Sequence, residues 1–198
     1  SSSSVYGNSR NFPLNENERT DTPQSFYAVS KKINEIMTYS FSASYKLPST
    51  SLRFFTVYGP YGRPDMFLFK LVKAITEKKK INIHNFGNHE RDFTYVGDVA
   101  ESIVKLIKFS PTKDTPYNTF NIGSNNPTKL KKFINIVEEK FKKKAMKKNI
   151  KLQKGDVIKT HSSNIKLVKK INKTKFVDIE TGITRFIEWY INYYKIKL

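Results

Sequence analysis

The sequence predicts an α/β fold, and three observations carry that expectation. Segments with a 3.6-residue apolar period alternate along the 198 residues with short runs of strand type. Hydrophobic residues make up 38% and aromatics 14%, which suits a packed core rather than a disordered chain. No apolar run approaches the roughly 20 residues that a membrane-crossing helix needs, so no span is expected.

Taken in order, Ser1 to Tyr6 reads as the end of a strand, and residues 8–24, rich in Asn, Asp and Pro, read as a loop. From about Ser25 to Tyr45, Ile33, Ile36, Met37 and Phe41 fall on a helical period. Ser51 to Thr56 follows Pro48 as a short strand of buried character, closed by Gly59-Pro60. A helix over Asp65 to Glu77 has Phe69, Val72 and Ile75 as its inner stripe. Ile81 to Ile83 and Arg91 to Tyr95 are strands around a turn at Gly87-Asn88. Asp98 stands where a helix N-cap belongs, ahead of Val99, Ile103, Leu106 and Ile107. Thr119 to Ile122 alternates as a strand, and Gly123 to Pro127 opens a helix carrying Leu130, Phe133, Ile134, Val137 and Phe141. A last helix, Asp178 to Tyr194, uses Phe186, Trp189, Tyr190 and Tyr193 for core and edge packing.

The formal charge of +19 raises the question of nucleic acid. Thirty of the 36 basic residues are Lys, whereas base-edge and phosphate-fork recognition favours Arg. The lysines are spread over the whole chain, and their densest run, Lys140 to Lys154, reads as a solvated helix end and loop. No nucleic-acid partner is therefore expected. Cysteine is absent, which excludes disulfides and thiolate metal sites and fits a reducing, cytoplasmic setting. His84, His89 and His161 lack metal-ligand spacing and read as ordinary polar residues, so no metal is expected.

Tyr27 and Lys31 lie four apart on a helix, hence on one face. An ammonium beside a phenol favours the phenolate and makes Tyr27 a candidate general base for a hydroxyl group. The spacing alone says little: with 11 Tyr and 30 Lys, about one or two such pairs arise by chance, and Tyr193 with Lys197 is another. The neighbourhood distinguishes Tyr27. A serine run lies just over twenty residues earlier, at the end of an expected strand, where ligands sit in open parallel sheets.

Ser1-Ser2-Ser3-Ser4-Val5-Tyr6-Gly7, Tyr27-Ala28-Val29-Ser30-Lys31 and Arg53-Phe54-Phe55-Thr56-Val57-Tyr58-Gly59-Pro60 occur in that order. Together they resemble the second half of the extended short-chain dehydrogenase/reductases, the sugar-nucleotide epimerase and dehydratase group. The resemblance implies the C-terminal part of a doubly wound, parallel-sheet (Rossmann-like) domain with a smaller mixed α/β substrate domain. Residues 1–59 would be the catalytic remnant of the dinucleotide-binding domain. Residues 60–198 would mainly bind the UDP-sugar, partly interleaved with the sheet. The group's glycine-rich dinucleotide loop has no counterpart among the eight glycines, so the chain is expected to be a fragment, inactive by itself.

The same resemblance implies NAD as cofactor, with Tyr27, Lys31, Phe54 and Phe55 beside it, and a homodimer when the enzyme is complete. Matched on Val5-Tyr6-Gly7, the serine that hydrogen-bonds the reacting sugar hydroxyl is Ser2, with Ser4 as competitor, and Ser3 beside them at the sugar. Tyr61-Gly62-Arg63-Pro64-Asp65-Met66 is most similar to the UDP-glucuronate 4-epimerases, in which Thr and Arg at the positions of Thr56 and Arg63 face the sugar carboxylate. An Arg fork pairing with a carboxylate beside a hydroxyl donor suits that role. Arg91 of Arg91-Asp92-Phe93-Thr94-Tyr95-Val96-Gly97-Asp98-Val99 resembles the arginine that clamps the nucleotide phosphates, and Asp156 the acid that takes the ribose hydroxyls. Asp98 would cap its helix or buttress the site. Thr160-His161-Ser162-Ser163-Asn164 departs from the family, which has an Ala-Asp pair there.

The expected activity is therefore 4-epimerisation of a UDP-sugar, UDP-glucuronate first, through a 4-keto intermediate. Another epimerase, dehydratase or decarboxylase of the group is the alternative, although a dehydratase would need an Asp-Glu pair where Ser3 and Ser4 stand. From another class, the alternatives are an inactive truncated chain or a basic binding protein.

Overall fold

A computed structural model describes residues 1–152 and 157–196. The elements are α1 (Phe26–Tyr45), β1 (Ser49–Phe54), β2 (Thr56–Tyr58), α2 (Phe67–Thr76), β3 (Lys80–His84), β4 (Glu90–Tyr95) and α3 (Val96–Ile107). They continue with β5 (Tyr117–Ile122), β6 (Pro127–Lys129), α4 (Leu130–Phe141), β7 (Met146–Ile150), α5 (Ile165–Ile171) and α6 (Ile179–Tyr194). Three strand pairs run parallel, β1 with β5, β2 with β4 and β3 with β7, while β6 joins β4 antiparallel. Parallel neighbours separated by helices are the α/β arrangement that the alternating pattern predicts. Among the described residues no helix is long and apolar enough to cross a membrane.

The largest core joins α2, α4 and α6 over β3 and β4. The stripes Phe69, Val72 and Ile75, and Leu130, Phe133, Ile134, Val137 and Phe141, are all buried in it. Phe93 stacks on Phe133 at 4.3 Å between centroids, and Phe69 meets Tyr190 edge-on at 5.3 Å. A second cluster packs Val99 and Leu106 of α3 and Leu167 and Ile171 of α5 on Phe120 and Ile122 of β5. A third, small one of Val5, Tyr6, Leu14 and Phe55 seats the serine segment.

Several local expectations are corrected. Only Ser2 of the first six residues pairs as a strand, in one parallel bridge to Phe54, and Ser3–Tyr6 is a 3-10 turn. The Ser2 hydroxyl causes the turn by accepting from the Ser4 amide at 3.2 Å, an N-cap in the chain's first residues. Asp98 does not cap α3: Tyr95 holds the N-cap position, and the buried Asp98 carboxylate binds Lys173 Nζ at 2.9 Å and the Val177 amide at 2.8 Å. Residues 123–127 do not lead straight into a helix, because β6 intervenes to pair with Glu90–Asp92. The lysine-dense run contains β7, whose backbone pairs with β3 while its side chains stay mostly exposed. In α1 the periodic apolar residues are not the inner face. Ile33, Ile36, Met37 and Phe41 are about half exposed, and Ala28, Glu35 and Ser42 are buried instead.

Candidate active site

Ser25 starts α1 by accepting the Ala28 amide at 3.1 Å, which fixes Tyr27 and Lys31 in the first two turns. The Lys31 ammonium sits 5.4 Å from the centroid of the Tyr27 ring, within cation–π range. Tyr27 is 57% exposed and lines a cavity of about 700 Å³, within the size range of small-molecule sites. Ser2 and Ser3 line the same cavity. Because the Ser2 oxygen accepts at the cap, its hydroxyl proton remains available to a ligand. Ser4 is not on the cavity wall, and its Oγ is buried with no hydrogen-bond partner among the described residues.

The opposite wall comes from the end of β1 and from β2, with Phe54, Phe55 and Thr56, and from the loop after them, with Tyr61 and Arg63. Gly59 makes that loop possible. Its φ is +140°, and a Cβ there would lie 2.5 Å from Val96 Cγ1 across the cavity wall. Arg63 is exposed and pairs with Asp65 at 2.9 Å, so its guanidinium is within reach of an arriving anion. Tyr61 packs its ring 5.2 Å from Trp189 at the rim. Sequence reasoning took Gly59 as part of a turn and Tyr61 only as a member of the Tyr61 to Met66 string, without assigning either a place in the site.

The structure thus brings Ser2, Ser3, Tyr27, Phe54, Phe55, Thr56 and Arg63 to one cavity, with Lys31 against Tyr27. Arg91 lies outside that lining and donates from Nη1 to the Glu90 and Ile158 carbonyls at 3.1 and 2.9 Å. Asp156 lies outside the described residues. Next to Arg91, the fully buried Asp92 is a hub. Its carboxylate accepts from the Ser124 and Ser162 hydroxyls at 2.8 and 2.6 Å and from the amides of Ser124, Asn125 and Ser162. Ser162 belongs to the segment that departs from the family pattern, and this bond is its structural use.

Behind the cavity lies a buried ion pair that sequence reasoning also missed. Arg53 of β1 forks onto Glu35 of α1, Nε to Oε1 at 2.8 Å and Nη2 to Oε2 at 2.9 Å. Burial alone would raise the Glu35 carboxyl, but the bonds from Arg53 and Ser1 outweigh it and hold it below the usual range. Arg53 is correspondingly raised despite burial, so the pair is ionised. Arg53 also donates to the Tyr6 hydroxyl at 3.1 Å, which donates to Asn121 at 2.7 Å. Burial pushes the Tyr6 phenol up to about 12, so it stays a neutral donor.

Residues 1–123 match the family described as the NAD dependent epimerase/dehydratase family. The chain belongs to that family. Protein CapI of Staphylococcus aureus is 44% identical over 209 residues, covering 98% of this chain and 63% of that protein. A probable UDP-glucuronate 4-epimerase of Rhizobium meliloti is 39% identical, covering 98% of this chain and 62% of its own length. The chain thus spans somewhat less than two thirds of these relatives. The solved UDP-glucuronic acid 4-epimerase of Bacillus cereus, in complex with UDP-glucuronic acid and NAD, superposes with a TM-score of 0.90 at 28% identity. That match covers 98% of this chain and 60% of that one. The likeness makes the parallel strands part of a Rossmann-like fold.

Proposed function

We propose that these 198 residues supply the acid–base and sugar-binding half of an NAD-dependent UDP-sugar 4-epimerase acting on UDP-glucuronate. The observation that carries the reading is the meeting of Ser2, Tyr27, Thr56 and Arg63 at one cavity, in a chain of this family. Relatives named UDP-glucuronate 4-epimerase support the choice of sugar.

In this reading Tyr27 is the general base that takes the proton of the C4 hydroxyl, and Ser2 donates to the same oxygen and orients it. Lys31, against the Tyr27 ring, holds a ribose hydroxyl of the cofactor. A bound NAD would lie beside Tyr27, Lys31, Phe54 and Phe55 and would supply reversible hydride transfer at the sugar C4. The residues present fit the nicotinamide side of such a cofactor, with Tyr27, Phe54 and Phe55 on one cavity. A glycine-rich pyrophosphate turn is not among the eight glycines, so the 198 residues alone are proposed to be inactive. Thr56 and Arg63 would bind the sugar carboxylate and Ser3 the sugar, and the family resemblance assigns the phosphates to Arg91 and the ribose hydroxyls to Asp156. Residues 1–59 carry the chemistry and 60–198 mainly bind the nucleotide-sugar, with β5 returning from the second part to pair with β1.

The outer face of α1 is proposed to pack on a second copy of the protein, which would cover Ile33, Ile36, Met37 and Phe41. The sugar assignment is tested by Arg63→Leu in the complete enzyme. UDP-glucuronate turnover is expected to fall about ten- to a hundredfold, the worth of a charge-assisted pair, while UDP-glucose turnover changes little. Parallel loss on both sugars would remove the carboxylate contact from the reading.

A further inference from the structure

The Glu35–Arg53 pair, behind the cavity, ties together three segments that supply its lining. Glu35 follows Lys31 by four residues and Tyr27 by eight, so the three lie on one side of α1. Arg53 immediately precedes Phe54, Phe55 and Thr56 of the facing wall. The third is the serine segment, and the pair grips it at both ends. Ser1 donates from Oγ to Glu35 Oε1 at 2.6 Å, and Arg53 Nη1 donates to the Tyr6 hydroxyl at 3.1 Å while its guanidinium lies 4.9 Å from the Tyr6 ring centroid. Ser2 lies between those two anchors, and its single strand bridge is to Phe54, next to Arg53.

From this geometry we infer that Glu35 and Arg53 are positioning residues, a buried clamp that sets Ser2 against Tyr27. Both side chains are almost entirely out of solvent, 6% exposed each, so they do not touch substrate themselves. A buried ion pair is weak evidence for stability, because the cost of desolvating two ions offsets much of their attraction. An apolar pair of similar volume would hold α1 on β1 equally well. It would not offer Ser1 an acceptor or Tyr6 a donor, and those two directional bonds are what the ionic pair adds. Asn121 completes the seat: its Oδ1 accepts from Tyr6, and its Nδ2 donates to the Leu14 and Ser163 carbonyls at 2.9 and 3.1 Å. The clamp is thereby referenced to β5 as well as to α1 and β1.

The inference rests on the functional reading only for what the positioned groups do. The experiment therefore has two readouts, taken on the complete, NAD-loaded enzyme with the double variant Glu35→Leu/Arg53→Met and the milder Tyr6→Phe. The Val5 and Gly7 amides bond to the Ser2 and Ser4 carbonyls within the turn and report its order. Their hydrogen exchange is expected to quicken at least tenfold in the double variant and less in Tyr6→Phe, with α4 and α6 amides unchanged. For UDP-glucuronate, kcat is expected to fall at least tenfold with KM within about threefold, because the sugar pocket persists while the proton-transfer geometry is lost. Unchanged exchange at Val5 and Gly7, or exchange quickened equally throughout the chain, overturns the clamp. So does kcat that stays at the parent value while the turn loosens. If the double variant does not fold, Tyr6→Phe alone decides by the same criteria. A parent enzyme with no epimerase activity on any UDP-sugar would sink the functional reading, and the exchange pattern would then decide the clamp by itself.

Discussion

Tyr27 and Tyr193 have the same spacing to a following lysine but different surroundings. Tyr27 lines the cavity with Ser2 and Thr56, whereas Tyr193 is 61% exposed and packs on Trp189 and Tyr194 along the outside of α6. In the complete enzyme Tyr27→Phe is expected to lower kcat at least a hundredfold, the scale of a lost general base, with UDP-sugar affinity nearly kept. Tyr193→Phe should change neither, and steady-state assays beside isothermal titration would check both. Equal losses would mark Tyr27 as a packing residue. What the sequence made legible at this scale was the candidate base and its company. It did not reveal Asp92 as a hub, because the hydroxyl partners Ser124 and Ser162 stand 32 and 70 positions away and reach it only through the fold. Glu35 was hidden for a related reason: a single acid in a helix reads as solvent-exposed until its arginine, 18 positions on, is seen beside it.

Element by element, the apolar stripes of α2 and α4 were readable to the residue, because they face the core, although both helices begin later than the sequence predicts. α1 was readable as a helix and misread as to its face. Its buried seam of Ala28, Glu35 and Ser42 repeats every seven residues and contains two polar side chains. Hydrophobic periodicity therefore pointed outward, to Ile33, Ile36, Met37 and Phe41. β7 escaped notice because Met146–Ile150 has no alternation to show, four of its five side chains being exposed, and it is a strand through its backbone pairing with β3. The outward face of α1 makes its own prediction. Large exposed apolar patches mark interaction sites, so the complete protein is expected to self-associate through this helix. Ile36→Glu with Phe41→Glu should convert a dimer to a monomer in sedimentation velocity while leaving the circular dichroism unchanged. A parent protein that stays monomeric at micromolar concentration would show that something other than a second copy covers the face.

At the scale of the whole molecule, 36 basic residues stand against 17 acidic ones, and the buried carboxylates of Glu35, Asp98 and Glu138 each pair with a cation. Glu35 is held low by Arg53 and Ser1 against the opposing effect of burial. Glu138 is likewise held low, burial being outweighed by Lys147, the Ala145 amide and Lys144. Hydrogen bonds from Lys105 and Lys173 bring Glu101 down to about 2, and the Thr181 amide and hydroxyl lower Asp178 at the start of α6. All four shifts have the same sign. A carboxyl whose pKa is lower in the folded than in the unfolded chain stabilises the fold fully above the unfolded value, about 4.3 for Glu. That contribution is lost as pH falls through the folded value, because the unfolded chain then binds more protons. Protonation also leaves the excess of lysines unbalanced, so self-repulsion adds to the loss. The urea midpoint is therefore expected to stay level from about pH 8 to about pH 5 and to drop steeply below about pH 4.5. Added salt should recover part of the drop by screening the lysine repulsion. Glu35→Gln, which cannot titrate, should start lower at neutral pH and decline less on acidification. A midpoint that holds level down to about pH 3 would mean that these paired carboxylates contribute nothing to stability.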